Sequence, residues 1–498
     1  MDAGPPPRPI GRPRRRGDLD VTFLEGFPIL GPAVLPACIV VAVLAVGVLW
    51  WRRGRLLRPA ARVAVLASSL AAPLVCAALV DGAGRPFAEP VGWATWLWLT
   101  PILLAALLIV VRPRRARPRT GAVGGTGAPG ASGAPGARTA RARNSGVRRT
   151  LGAVGSIGAL AVVVAAAALG INAWFAAYPT LGDLLGTTAP TVTLDALAGG
   201  PAGTGGSTAP ADVTEALGAK LAAADPSSVG AATGTVATVR IPAPISGFAA
   251  RPAVVYLPPA AIAEHPPELP VLVLLAGQPG APDDWVRKGD LQGTMDAFAA
   301  AHGGRAPIVV VPDPLGSSTS NPLCSDTSHA KVATYLEQDV AAWIDANFGP
   351  ATHPDQRAIG GLSNGGTCAL QVGTRSPAAW PVVINLAGEM HPDLGGVDRT
   401  IALGFDGRPE AFAANDPLTL LQAAAARDGR YAHSHVYFGV GTQDADGGAA
   451  AEALAGAARS AGMDVVVERA PGGHQWQAWS ALLPGAITWY GTLSGVTP

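Results

Sequence analysis

The chain has 498 residues, of which 49% are hydrophobic and 14% are charged, with a formal net charge of +1. This length can hold two or three domains, and the near-neutral charge gives no reason to expect binding to nucleic acid. Arginines cluster before residue 150, whereas acidic residues are more frequent in parts of the C-terminal half. This asymmetry is typical of a membrane protein.

Four stretches are apolar over about the 20 residues that a helix needs to cross a bilayer. They are residues 27–51, 61–80, 91–111 and 151–178. A buried core helix is usually shorter, and Trp50 and Trp51, followed by two arginines, do not resemble the cleavage site of a signal peptide. No charged residue lies near the middle of any stretch, which indicates an anchor in the lipid bilayer rather than an ion or proton pathway.

Arginines in the connecting segments predict how these four spans are oriented. Residues 52–62 and 112–149 hold fifteen arginines, whereas the basic tail at residues 1–26 and the turn at residues 81–90 hold six. Because positive loops stay in the cytoplasm, the tail and everything after the fourth span are predicted to be extracytoplasmic. The run RPRRR in the tail opposes this orientation.

Two segments of low complexity separate the parts of the chain. Residues 112–149 include a Gly/Ala/Pro/Arg linker that cannot bury a core and is predicted to be disordered. Residues 181–232 are rich in Thr, Pro, Gly and Ala and are predicted to form a stalk, with a short helix near residues 213–224. The remaining residues, 233–498, form a separate domain.

From residue 233 onward, short β-branched runs alternate with amphipathic stretches, which predicts an α/β fold with a mostly parallel, doubly wound sheet of about eight strands. The predicted strands are residues 235–241, 253–257, 271–275, 308–311, 358–362, 382–385, 436–440 and 465–468. The predicted helices lie near residues 283–301, 332–347, 365–376, 417–426, 449–461 and 476–490.

Ser363 lies in the run RAIGGLSNGGTCAL, between a predicted strand and a predicted helix. Small residues two positions before and after a serine let strand and helix approach closely, so that the hydroxyl is exposed on a sharp turn. A chance match of this pattern is the alternative in a chain with 63 glycines. A serine also needs a histidine base and an orienting acid to act as a nucleophile.

His474, in RAPGGHQWQAW, follows the last predicted strand and is the best candidate for that base. A structural role is expected for the other histidines considered, which are His265, His302, His353, His433 and His435. Asp444 lies just past the penultimate strand and is the candidate acid, with Asp446 as its rival and a solvated loop aspartate as the alternative.

Donors for a developing oxyanion are expected from two backbone N–H groups. One belongs to Asn364, directly after the serine. The other belongs to Gln278, in the loop that follows the third predicted strand.

From about residue 233 to residue 490 the chain resembles the putative-esterase family of α/β-hydrolases, which includes esterase D and the secreted mycolyltransferases of actinobacteria. The motifs that carry the resemblance are VLVLLAGQPGAPDDW, VVVPD, ATYLEQDVAAWID, AIGGLSNGGTCAL, GVGTQD and PGGHQWQAW. The order Ser363, Asp444, His474 is also that of α/β-hydrolases. Most relatives have His-Gly at the start of the oxyanion loop, whereas this chain has Ala276 in place of that histidine. The membrane spans resemble those of membrane-bound actinobacterial members.

The resemblance and the residues together predict a membrane-anchored, extracytoplasmic serine esterase that acts on an acyl ester or a glycolipid, with no metal and no organic cofactor. An acyltransferase that moves a long acyl chain onto a cell-envelope sugar is the first alternative. A catalytically silent envelope-binding protein is the second, and the complete set of Ser363, Asp444 and His474 argues against it.

Cys324 and Cys368 are the only cysteines of the predicted extracytoplasmic domain. Both are predicted to lie near the carboxyl edge of the sheet, and an oxidising compartment favours their pairing. Two unpaired small residues are the alternative. Cys38 and Cys76 fall within predicted spans and are expected to be small apolar residues only.

Overall fold

The computed structural model describes residues 26–80, 93–111, 136–186, 192–193, 233–263, 266–424 and 429–497. The predicted basic tail up to residue 25, the first part of the predicted linker and most of the predicted stalk lie outside these residues. His265 also lies outside them.

The described residues between 26 and 186 are mainly helical. The helices are α1 (Val34–Arg52), α2 (Pro59–Ala77), α3 (Trp93–Val110) and α4 (Gly136–Phe175). Among the described residues, three stretches are long and apolar enough to cross a membrane: Val34–Leu56, Pro59–Val80 and Gly152–Phe175. Four spans were predicted. The helix in the place of the third, α3, has 18 residues, or about 27 Å at 1.5 Å per residue, which is slightly less than a bilayer core requires.

The predicted disordered linker ends earlier than its composition indicates. Residues 112–135 lie outside the described part of the chain, but from Gly136 onward the backbone is helical, and α4 has 40 residues. The prediction of disorder is therefore wrong for residues 136–149. Alanine and arginine have high intrinsic helix propensities, and the apolar turns that follow extend the same helix without a break.

The chain that leaves α4 is folded where a stalk was predicted to begin. Helix α5 (Leu181–Leu185) starts with a capping box, in which Thr180 and Asp183 bond each other's backbone N–H groups. Backbone N–H groups of Ile29 and Leu181 bond the carbonyls of Pro179 and Phe27, so this exit segment is paired with the residues before α1.

A single mixed sheet forms the centre of the C-terminal domain. Its strands are β1 (Val192–Thr193), β2 (Thr235–Val239), β3 (Ala253–Leu257), β4 (Val271–Leu275), β5 (Ile308–Val311), β6 (Arg357–Leu362), β7 (Val382–Leu386), β8 (His435–Gly441) and β9 (Asp464–Ala470). Their spatial order is β1-β2-β3-β5-β4-β6-β7-β8-β9, and only β3 runs antiparallel to its neighbours. The eight predicted strands are confirmed, and β1 is an additional one that pairs with β2 in parallel.

The central strands are buried along their whole length, which explains their uninterrupted apolar sequences. Every residue of β3, β4 and β5 is buried, whereas β9 at the edge keeps exposed positions. Strands covered by helices on both faces need no polar alternation. Because parallel strands bring their carboxyl ends to one edge, the loops after β4, β6, β8 and β9 meet there.

Helices pack on both faces of the sheet. They are α6 (Asp284–Arg287), α7 (Leu291–Ala301), α8 (residues 332–348, with a π-helical middle at Tyr335–Val340), α9 (Asn364–Arg375), α10 (Val397–Gly404), α11 (Pro409–Ala413), α12 (Pro417–Ala423), α13 (Ala445–Ser460) and α14 (Trp476–Leu493). One helix was predicted over residues 283–301, but the chain breaks between α6 and α7 at Asp290, which has a φ of 48°. Helices α10 and α11 were not predicted.

The structure joins Cys324 to Cys368 in a disulfide bond, with Cα atoms 5.4 Å apart and a sequence separation of 44. Both side chains are buried. The bond ties the loop after β5 to the first turns of α9, directly beside Ser363.

Replacing both cysteines by alanine is expected to remove about 3–4 kcal/mol of chain-entropy stabilisation, which corresponds to a fall in thermal midpoint of roughly 10 °C for a domain of this size. The measurement is a thermal scan of the purified chain in detergent, with Cys76→Ala as the control. Alkylation of both thiols without prior reduction, detected by mass spectrometry, would show that the bond is absent in the protein.

Candidate active site

Ser363 lies on the sharp turn between β6 and α9, with φ 53° and ψ −128°. This conformation is rare for a residue with a β-carbon. The surrounding backbone holds it in place, because the N–H of Ser363 donates to the carbonyl of Leu386 at 2.8 Å and the N–H of Thr367 donates to the carbonyl of Ser363 at 3.0 Å. Such strain at a buried turn is characteristic of functional sites.

The glycines on either side of Ser363 are required by close backbone approach. A β-carbon at Gly361 would collide with the backbone of Gly365, and one at Gly365 would collide with the carbonyl of Leu275 in β4. The small residues therefore let β4, β6 and α9 come together, and the serine is carried at the point where they meet.

Asp444 contacts His474 across the loops that follow β8 and β9. The Nδ1 atom of His474 lies 2.8 Å from Oδ2 of Asp444, while Oδ1 of Asp444 accepts the N–H of Gly447 at 2.9 Å. Burial alone would raise the pKa of the Asp444 carboxyl. The hydrogen bond with His474, the charge of that ring and the Gly447 N–H together outweigh burial and lower the pKa of Asp444.

Asp444 is also the N-cap of α13, which begins four residues before its predicted start. This position fixes the carboxylate, since one oxygen caps the helix and the other remains for the imidazole. The rival acid, Asp446, is exposed on the first turn of the same helix.

Backbone bonds between the two loops hold the pair together. The N–H of Gln443 donates to the carbonyl of Gly472 at 2.8 Å, and a β-carbon at Gly441 would collide with that same carbonyl. The Gly-Gly pair before His474 thus brings its ring to the end of β8.

Three tryptophans pack beside His474 as a chain of edge-to-face contacts. Trp479 lies 4.9 Å from the His474 ring, Trp476 lies 5.5 Å from Trp479, and Trp285 lies 5.6 Å from Trp476, all measured between ring centroids. The tryptophans are almost fully buried. This packing limits the rotation of the imidazole, and it connects the histidine loop to α6.

The two predicted oxyanion donors flank Ser363. Asn364 is the first residue of α9. Gln278 follows Gly277, at which a β-carbon would lie 3.3 Å from Cβ of Ser363. The Gln278 side chain donates from Nε2 to the carbonyl of Thr319 at 2.8 Å, which ties the oxyanion loop to the loop after β5. The peptide bond between Gln278 and Pro279 is cis.

Sequence reasoning missed the groups that support this loop. Arg251 bonds both carboxylate oxygens of the fully buried Asp313 and donates to the carbonyl of Gly280 at 3.0 Å. The motif VVVPD was a usable signal, because an aspartate directly after a buried strand needs a cation or several N–H donors.

A second His–Asp pair, also missed, lies in the insertion between β7 and α12. Nδ1 of His391 lies 2.9 Å from Oδ1 of the buried Asp416, and this hydrogen bond raises the pKa of His391. Other histidines make structural contacts. His302 bonds the carbonyl of Phe298, and His435 lies beside Asp464. Across the described ranges no three His, Cys, Asp or Glu side chains are grouped to hold a metal ion.

The C-terminal domain is similar in sequence to a known protein family and to a bacterial protein. Residues 249–490 match the model of the family described as "Putative esterase". An uncharacterized protein of Corynebacterium glutamicum is 38% identical over 259 residues, which cover 50% of this chain and 59% of that protein. The chain thus spans less than two thirds of the length of this relative.

Solved structures with a similar fold include a ferulic acid esterase (21% identity, TM-score 0.44, covering 53% of this chain and 99% of that one). An S-formylglutathione hydrolase from Agrobacterium tumefaciens has 17% identity and a TM-score of 0.44, covering 53% and 97% of the two chains. MPT51 of Mycobacterium tuberculosis has 20% identity and a TM-score of 0.37, covering 53% and 99%.

The C-terminal domain is therefore similar to the family described as "Putative esterase", whose model it matches over residues 249–490.

Proposed function

We propose that the protein is a membrane-anchored, extracytoplasmic serine esterase with Ser363, His474 and Asp444 as its catalytic triad. The observation that supports this most directly is the Asp444–His474 hydrogen bond, formed at the same sheet edge as the strained turn of Ser363. An acid that bonds Nδ1 of a histidine fixes the tautomer in which Nε2 can accept a proton.

The proposed reaction has two steps. The hydroxyl of Ser363 attacks the ester carbonyl while His474 takes its proton, and the alcohol leaves with a proton returned by His474. Water then attacks the acyl-enzyme carbonyl while His474 takes its proton. The ester bond to Ser363 breaks, the carboxylic acid leaves, and His474 returns the proton to the Ser363 oxygen. The backbone N–H groups of Gln278 and Asn364 stabilise the oxyanion of each tetrahedral intermediate.

The test is hydrolysis of a series of p-nitrophenyl esters by the full-length protein in detergent micelles. Turnover that saturates with substrate and exceeds that of Ser363→Ala would support an esterase. Turnover equal to that of the variant for every chain length would contradict it.

Transfer of the acyl group to a sugar is a second candidate, supported by a cleft of about 580 Å³ that is lined by residues 246–249, 315–317, 320 and 327–331 and not by the proposed catalytic residues themselves. Hydroxyl side chains line much of it: Ser246, Ser317, Ser320, Thr327 and Ser328. Its wall is tied to the oxyanion loop, because Gly280 donates to the carbonyl of Ser318 at 2.9 Å. Product analysis with and without trehalose separates transfer from hydrolysis.

The proposed location takes α3 as a fourth membrane-crossing helix beside the three longer apolar ones, and it rests on the arginine distribution. With fifteen arginines on the cytoplasmic side against six on the other, the C-terminal domain lies outside the cytoplasm. This orientation also fits the disulfide bond between Cys324 and Cys368, because disulfides persist in oxidising compartments.

Protease added to intact protoplasts is expected to cut within residues 187–228 and to convert the full-length chain into two fragments, because this Gly/Pro/Thr-rich segment is predicted to lie outside the cytoplasm. Immunoblotting of the C-terminal fragment measures the cut. A cytoplasmic marker protein must stay intact in the same sample. Resistance until detergent is added would place the domain in the cytoplasm.

A further inference from the structure

The exit segment of α4, residues 178–186, contacts helix α6 of the hydrolase domain. The guanidinium group of Arg287 donates to the carbonyl of Asp183 from Nη2 at 2.6 Å and from Nε at 3.2 Å. Arg287 and Lys288 both place their cationic groups over the ring of Tyr178, at 5.3 and 5.1 Å from its centroid. The side chains of the two cations are only 20% and 16% exposed. Partly desolvated cation–π contacts of this kind are stronger than exposed ones.

Lys288 continues this contact toward the active site. Its Nζ atom lies 2.9 Å from Oδ1 of Asp284, whose side chain is 8% exposed. The other oxygen of Asp284, Oδ2, accepts the backbone N–H of Ala281 at 3.1 Å. One buried carboxylate therefore joins the lysine under Tyr178 to the backbone of the oxyanion loop.

Ala281 ends the short loop that carries Gln278. On this loop Gly280 has no room for a side chain, since a β-carbon there would collide with the carbonyl of Gly277. Gly277 in turn packs against Ser363. A displacement of the Ala281 backbone would thus also displace the N–H of Gln278, because the backbone between these two residues is tightly packed.

We propose that Tyr178 and Lys288 are positioning residues for the oxyanion loop, so that the exit segment of the membrane domain sets the position of the Gln278 N–H. This inference rests on the proposed function. The inference gives the N-terminal helices a second role besides anchoring. The hydrolase domain is expected to be most active when its helix α6 contacts the exit segment of α4.

The physical reason is the charge of Lys288. Without its ammonium group, the buried Asp284 carboxylate loses a neutralising partner and would turn toward water. Its bond to the Ala281 N–H then weakens, and the oxyanion donor three residues away is no longer held. Such a donor contributes to the transition state far more than to substrate binding, so its displacement lowers kcat rather than raising KM.

The experiment compares Lys288→Met and Tyr178→Leu with the wild type, as full-length chains in detergent, with active sites counted by exhaustive fluorophosphonate labelling. Removal of one oxyanion donor costs 10²–10³ in kcat, and a displaced donor is expected to cost less, about tenfold, for Lys288→Met. KM for a p-nitrophenyl ester should change by no more than about twofold. The inhibition constant of an alkyl trifluoromethyl ketone, whose adduct carries the oxyanion, should rise in proportion to the loss of kcat/KM.

Conservative variants separate positioning from general stability. Lys288→Arg keeps a cation between Tyr178 and Asp284 and should retain most of the activity, as should Tyr178→Phe, which keeps the ring. Arg469→Met is the matched control. It breaks an exposed ion pair with Glu452, whose N–O distance of 2.8 Å is close to that between Lys288 and Asp284, and it is expected to leave kcat unchanged. If Lys288→Met does not fold, Tyr178→Leu is the deciding variant.

The inference is wrong if both variants keep the wild-type kcat per labelled site, or if the ketone binds them as tightly as the wild type. That result would leave the proposed function intact, because the wild type would still hydrolyse ester and take up one label per chain. A wild-type protein that neither hydrolyses esters nor reacts with the label would instead contradict the proposed function itself.

Discussion

Replacing Ser363 by alanine is expected to lower kcat about a millionfold, which is the loss seen when the nucleophile of a serine hydrolase is removed. The thermal midpoint should stay nearly unchanged. Alanine keeps the β-carbon that already occupies the turn at φ 53°, and the backbone bonds to Leu386 and Thr367 do not involve the side chain. The measurement is turnover of a p-nitrophenyl ester together with a thermal scan.

Ser460→Ala is the matched control, because Ser460 bonds the carbonyl of Gly456 at the exposed end of α13. It should keep full activity. Turnover by Ser363→Ala well above that of membranes from cells lacking the protein would mean that another residue is the nucleophile.

The second large effect is expected at Asp444. Asp444→Asn should lower kcat about 10⁴-fold, because the amide favours the wrong tautomer of His474 and cannot stabilise the imidazolium. Asn is nearly isosteric with Asp, and its carbonyl oxygen can still accept the N–H of Gly447 at the start of α13. The fold should therefore be maintained.

Asp446→Asn is the matched control for the acid. It changes an exposed carboxylate two residues away, on the same first turn of α13, and its effect on kcat should stay within about twofold. Kinetics of both variants at one pH, with active sites counted by labelling, decide the assignment. Equal losses, or a larger loss for Asp446→Asn, would mean that the orienting acid is not Asp444.

The sheet could be predicted from sequence because its strands are short apolar runs separated by polar turns. The continuous burial of β4 and β5 follows from their composition. The turn at Ser363 could also be predicted, since the glycines that allow close approach are adjacent to it in the sequence. The structure brings His474 to Asp444.

Other features depend on contacts between distant residues and have no local signature. Lys288 and Tyr178 are 110 positions apart in the sequence, and nothing in either neighbourhood indicates that they meet. Helices α10 and α11 are short and follow glycines with positive φ, so their sequence resembles a loop. The early start of α4 was missed because a Gly/Ala/Arg composition resembles a linker, while alanine and arginine also favour helix.

The measurement that tests the central proposal most directly is peptide mapping of the full-length protein after reaction with a fluorophosphonate. We expect one adduct per chain, on the peptide that contains Ser363, and loss of that adduct in Ser363→Ala. An unlabelled Ser363 in correctly folded protein, or equal labelling of the wild type and the variant, would contradict the assignment of this serine as the nucleophile.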